Sequence, residues 1–141
     1  MRAFAYRPTS WTNLPHDSAT VLWAVRHIVI CWPDCGNVRA ALIDSYGDDA
    51  TGIEHLLRCL IAGIGMHGRR KLSIGTPACA ILLPDEIELL EAIGLDGAEP
   101  DPSALSRLTA SPKGERLAPL AALISETLRR ARTRAPEDAA L

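Results

Sequence analysis

Thr51-Gly52-Ile53-Glu54-His55-Leu56-Leu57-Arg58-Cys59-Leu60-Ile61-Ala62-Gly63-Ile64 is the stretch on which the fold turns. Ile53, Leu56, Leu57, Leu60, Ile61 and Ile64 recur at helical period, so an apolar stripe runs along one side of a helix and has to find a core. Thr51 and Glu54 stand at capping-box spacing, where each side chain can satisfy a free backbone donor of the first turn. Cys59 falls between Leu56 and Leu60, on or beside the stripe, and reads as a small apolar filler. Gly63, Gly65 and Gly68 spell G-x-G-x-x-G, but a dinucleotide fingerprint needs a strand before it and a helix after it, whereas these glycines end a helix. They predict a fraying helix end that admits a close neighbour.

The flanks carry the same period. Upstream, Val21, Leu22, Val25, Ile28, Val29 and Trp32 form one face of a helix that starts at Asp17 or Ser18 and stops at Pro33. Asp34 is placed to cap a second helix in which Val38, Ala41, Leu42 and Tyr46 face inward and Gly47 supplies the stop. Downstream, Leu72 to Leu83 reads as extended, with turn residues for a short hairpin around Gly75 to Pro77. A fourth helix is expected from Pro84 or Asp85 to Ile93, its Glu86, Glu88 and Glu91 forming an exposed face opposite Ile87, Leu89, Leu90 and Ile93. Gly94 to Pro102 has linker chemistry, and Ala104 to Leu108 fits one or two turns. A last helix from about Glu115 to Arg132 carries the stripe Leu117, Leu120, Ile124, Leu128 and Ala131.

The expected fold is therefore mainly α: a compact bundle of about four helices, a short extended or hairpin segment near 70–83, and an additional C-terminal helix. The expected organisation is an irregular arm at 1–16, a helical core domain at 17–93, a Pro/Gly linker at 94–103, a C-terminal helical segment at 104–134 and a tail at 135–141.

Composition agrees with one core. The chain has 141 residues, 48% hydrophobic and 23% charged, with only 4% aromatic, so Ala, Leu and Ile do the filling and helices are favoured over strands. A net charge of −2 argues against a protein built to hold nucleic acid. The longest apolar run, near Leu56 to Met66, is interrupted by Arg58 and falls well short of the roughly 20 residues of a membrane span. Without a secretory signal at the N-terminus, the expected setting is cytoplasmic, where four cysteines are thiols or metal ligands rather than disulfides. Charge is uneven along the chain. Seven acids and no Lys or Arg lie between Leu72 and Ser106, while Arg129, Arg130, Arg132 and Arg134 crowd the C-terminal end. Helix dipoles account for both groups.

Three sets of residues could carry chemistry or binding. Cys31 and Cys35, with Cys79 and His27 as completions, have ligand types suited to a tetrahedral ion, and zinc is the ion such a set would hold. The second close-spaced ligand pair of a zinc signature is missing, so the default reading is packing and no cofactor. Arg69, Arg70 and Lys71 form the densest basic cluster of the body, a candidate anion or nucleic-acid contact set against a solvated turn. Leu117, Leu120, Ile124 and Leu128 need a partner surface, in cis or in trans. Serines without a nucleophile-elbow context and carboxylates without an accompanying histidine give no reason to propose an enzyme.

Leu22-Trp23-Ala24-Val25-Arg26-His27 opening a helix, Leu56-Leu57-Arg58 on a later one, Arg70 to Cys79, and Pro84 to Ile93 together resemble a family of small alphaproteobacterial proteins of unknown function. The resemblance spans about residues 22–93 and implies a small helical domain in a bacterial cytoplasm. It implies no activity and transfers no functional residue. The expected function is a small non-catalytic interaction or regulatory protein whose partner is a protein, itself or another chain, met through the C-terminal helix. The alternatives are a thiol-dependent metal-binding or redox protein using Cys31 and Cys35, and nucleic-acid contact through Arg69 to Lys71.

Overall fold

A computed structural model describes residues 10–32 and 36–139. Cys35, the Pro33 stop, the Asp34 cap, most of the N-terminal arm and residues 140–141 lie outside the described residues. Among the described residues six α-helices follow one another: α1 (His16–Cys31), α2 (Gly36–Tyr46), α3 (Ala50–His67), α4 (Pro84–Ile93), α5 (Pro102–Thr109) and α6 (Ala118–Ala139). Short 3₁₀ turns precede α1, α3 and α6. The molecule is mainly α, as the periodicity indicates. Among the described residues, no helix is long and apolar enough to cross a membrane.

One core takes side chains from all six helices, among them Leu22 and Ile28 of α1, Leu42 of α2, Ile53, Leu57, Leu60 and Ile64 of α3, and Leu89 and Ile93 of α4. Leu105 and Leu108 of α5 join it, as do Ile124 and Leu128 of α6. Each such Leu or Ile contributes about 1.5–3 kcal/mol relative to leaving it in water. Gly63 of α3 sits where a Cβ would come within 2.6 Å of Leu117, so here a glycine of the G-x-G-x-x-G run does allow a close neighbour.

The C-terminal stripe needs correction as a partner surface. Ile124 and Leu128 are 0% and 1% exposed, and Leu117 and Leu120 pack half-buried against the same core. The stripe meets its own chain, so these four side chains are covered in cis. Exposed large apolar residues include Val29, Ile30 and Trp32 at the end of α1 and Leu123 of α6, which lies outside the stripe. Val29 and Trp32 had been expected to face inward.

Two helix starts also differ from expectation. The capping box of Thr51 and Glu54 does not form: the 3₁₀ turn Gly47–Asp49 runs directly into Ala50, Thr51 is exposed, and Glu54 turns inward to Arg39 (2.9 Å) and Arg58 (3.1 Å). Helix α1 starts at His16 after Pro15, whose side chain cannot cap. Its free donors are met from far away by Asp96, which accepts from the backbone N–H of Asp17 (3.2 Å) and Ser18 (2.9 Å) and from the Ser18 hydroxyl (2.6 Å). The stretch Gly94 to Pro102, expected to be a linker, is thus a structural turn. Gly94 and Leu95 are buried, and Gly94 ends α4 at φ +70, where a Cβ would lie 2.3 Å from the Pro100 nitrogen.

The segment before α4 forms no hairpin. Among the described residues, a turn at Thr76 to Cys79 (Cys79 N–H to Thr76 carbonyl, 2.9 Å) and an antiparallel bridge between Ser10 and Ile81 are its regular features. Backbone groups left without a ladder need other partners. Arg26 and Glu86 supply them. Both are buried, at 3% and 0% exposure, and meet in a two-pronged pair with both contacts at 2.8 Å. Arg26 also donates to the carbonyls of Cys79 and Ile81 (each 2.7 Å), while Glu86 accepts from the N–H of Gly75 (3.0 Å) and of Leu83 (2.8 Å). Glu86 was expected on the exposed face of α4; the guanidinium beneath the segment draws it inward.

Removing one member leaves the other buried and unpaired. Arg26→Met is expected to lower the stability read from urea denaturation by about 3–5 kcal/mol. Arg130→Ala, which removes a long surface contact to Glu126 (3.8 Å), is expected to change it by no more than about 0.5 kcal/mol. Equal effects of the two substitutions would contradict the role given to Arg26.

Candidate functional site: a charged cleft beside the C-terminal helix

The turn after α4 and the middle of α6 face each other across a cleft of about 410 Å³. Gly94 positions one side: its left-handed conformation reverses the chain, and the Ser125 hydroxyl donates to its carbonyl (2.7 Å), tying the turn to α6. On that side stand Asp96 and Glu99, with Leu95 and Pro100 as apolar floor. Helix α6 contributes Arg129 and Arg132, one turn apart along its exposed edge, and Leu128 beneath them.

The charges in the cleft are not equivalent. Both Asp96 oxygens are engaged by the start of α1, so this carboxylate acts as a resident cap. Asp17 accepts from the Tyr46 phenol (2.7 Å) and from Arg132 (3.1 Å), anchoring the base of the arginine row. Burial, and then the hydrogen bond to Asp17, push the Tyr46 phenol well above its ordinary value, so it stays a donor to the carboxylate. Arg129 contacts Glu126 on its own helix. Glu99 is exposed on the turn. Opposite charges therefore line one concavity, the acid from the turn and the bases from the helix.

Of the residues singled out from the sequence, Leu128 lines the cleft, whereas the thiols, His27 and the basic cluster lie elsewhere. The Cys31 thiol donates to the His27 carbonyl (2.6 Å), and the His27 ring bonds the Trp23 carbonyl (2.8 Å) with its centroid 4.0 Å from that of Trp23. The Cys79 thiol donates to the Ile81 carbonyl (3.4 Å) in the segment before α4. Cys35 would have to complete the set and lies outside the described residues. Among the described residues, no group of three or more His, Cys, Asp or Glu side chains is placed to hold a metal ion.

The basic cluster is divided. All three residues are exposed, but Arg70 is also held by Asp85 through contacts of 2.5 and 3.2 Å and donates to the Arg107 carbonyl (3.2 Å). Arg70 thus holds the chain against α4 and the end of α5. The cleft has a sequence signal in the uneven charge of the chain. Helix dipoles and linker chemistry account for each charge run separately, yet Asp96 and Glu99 of the one and Arg129 and Arg132 of the other stand on opposing walls.

No family model, no curated protein and no solved structure matches this chain.

Asp85 and Glu86, side by side at the start of α4, tie stability to pH. Burial pushes both carboxyls up. Hydrogen bonds from Arg70 and the Ser73 N–H on Asp85, and from Arg26 and the N–H groups of Leu83 and Gly75 on Glu86, more than reverse this, so each sits below its ordinary value. A carboxyl whose folded value is depressed adds stability above its unfolded value and loses it as the pH falls through the folded one. Urea midpoints are expected to drop progressively below about pH 5, and Asp85→Asn to give lower stability at neutral pH with a shallower acid slope. An unchanged slope in that variant would show that Asp85 does not contribute.

Proposed function

We propose that the protein is a non-catalytic binding protein of the regulatory kind, and that its cleft receives a small zwitterion, a free amino acid or short peptide. The observation that carries this reading is the opposed charge across one cleft, with Glu99 on the turn and Arg129 and Arg132 on α6: a ligand ammonium would meet the acid, and a ligand carboxylate would share the arginines with Glu126 and Asp17. Volume supports it too, since about 410 Å³ lies within the range of small-ligand pockets. A binding role is favoured over a catalytic one because the acids nearest the base of the cleft already serve structure, Asp96 as a cap and Asp17 as the anchor of Tyr46 and Arg132. Exposed charges recognise weakly, so affinities in the micromolar to millimolar range fit this geometry. A cytoplasmic setting belongs to the same proposal, supported by Cys31, Cys59 and Cys79 being thiols rather than half-cystines.

Titration calorimetry with a panel of amino acids and dipeptides, each alongside its N-acetylated and its amidated form, tests the proposal. Members carrying both charges should bind, and blocking either end, or substituting Glu99→Gln or Arg129→Gln, should weaken binding by about tenfold or more. Equal binding of blocked and unblocked forms, or no binding by any panel member, would overturn it.

A further inference from the structure

Asp17 lines the cleft from the start of α1 and is itself only 8% exposed. One of its oxygens, Oδ1, accepts both from the Tyr46 phenol at the end of α2 (2.7 Å) and from Nη1 of Arg132 on α6 (3.1 Å). The two donors hold it unequally. The phenol contact is short and buried, which keeps the carboxylate with α1 and α2. The arginine contact is longer, runs through one nitrogen, and comes from a side chain 47% exposed to solvent.

A guanidinium has five N–H donors in a fixed fork, and a contact through Nη1 alone leaves most of them for another acceptor. A carboxylate entering the cleft can take two parallel bonds from Arg132 where Asp17 takes one, and the two-pronged arrangement is the stronger. The two carboxylates are rivals for one positive charge, and at close range they repel each other. Asp17 yields at small cost, because Tyr46 still donates to it.

We infer that Asp17 is a built-in competitor for the ligand of the cleft: it holds Arg132 until an incoming carboxylate takes the guanidinium, and its displacement releases α6 from the start of α1. This role rests on the carboxylate half of the ligand proposed above and is independent of the ammonium half. Affinity given up to the competition equals the weakening of the tie between α1 and α6, since the coupling is reciprocal. Occupancy of the cleft is thereby turned into the loss of a contact between the first and last helices, an output suited to a regulatory protein.

The test is titration of the isotope-labelled full chain with N-acetylglycine, which carries the carboxylate alone, and with glycine, followed by nuclear magnetic resonance. Asp17→Asn, whose side-chain oxygen still accepts from Tyr46, should bind N-acetylglycine at least about threefold more tightly than the parent chain, and the gain should vanish in the Arg132→Gln background. In the parent chain, which needs no substitution to fold, N-acetylglycine should shift the Asp17 carboxyl and Arg132 Nε–H signals together. Equal affinities of Asp17→Asn and the parent, a gain that survives Arg132→Gln, a stationary Asp17 signal, or no binding of either probe would overturn the inference. Glycine separates the two proposals: a gain in Asp17→Asn with glycine and N-acetylglycine bound alike keeps the competitor and removes the zwitterion, whereas tighter glycine binding without that gain does the reverse.

Discussion

A guanidinium and a carboxylate buried together beneath an irregular segment are the constraint on which the rest of this structure depends. A run of residues without helix or ladder, laid over a hydrophobic core, would leave peptide groups without partners, each costing about as much as a lost hydrogen bond. Arg26 and Glu86 meet that need from below. Their pairing also fixes α4 against α1, and with it the place where the chain leaves α4 at Gly94. A buried ion pair is not automatically a gain over apolar packing. Here its worth lies in the four backbone groups it satisfies in the segment above it and at the start of α4.

The apolar half of the fold was legible in the sequence. The stripes of α1 to α4 and of the last helix all contribute to the core, and Pro84 and Ile93 bound α4 as the local signals indicate. Polar residues were less readable, for a physical reason. Periodicity shows which side of a helix is apolar, but not which charged residue at its border will be drawn inward by a partner 60 residues away, as Glu86 is by Arg26. The same holds for Glu54, whose capping spacing was sound but whose two arginines compete better for it. Hairpin chemistry at Gly75 to Pro77 produced a turn without strands, because the carbonyls and N–H groups on either side found side chains before they could find each other.

Of the candidate sites, the cleft was present in the sequence only as two separate charge runs. Local reasoning assigns each run to its own helix end, and only the reversal at Gly94 brings them face to face. The thiols went the other way. Cys31, Cys35, Cys79 and His27 drew attention through spacing, whereas spacing alone placed Cys59 in the core. It is only half-buried, and a rotation of part of a residue's arc about the α3 axis decides between filler and edge residue. A helical wheel does not resolve that difference for residues at the edge of a stripe.

Asp96 capping α1 across 78 residues has a consequence for the order in which the chain can be assembled. During synthesis, the first helix emerges with its leading N–H groups unmet, and they remain so until the turn after α4 has left the ribosome. Arg132 reaches Asp17 from still further along, 115 residues away. Helix α1 therefore gains these partners late, and the nascent helices α1 to α3 stay open at one end until α6 has been made.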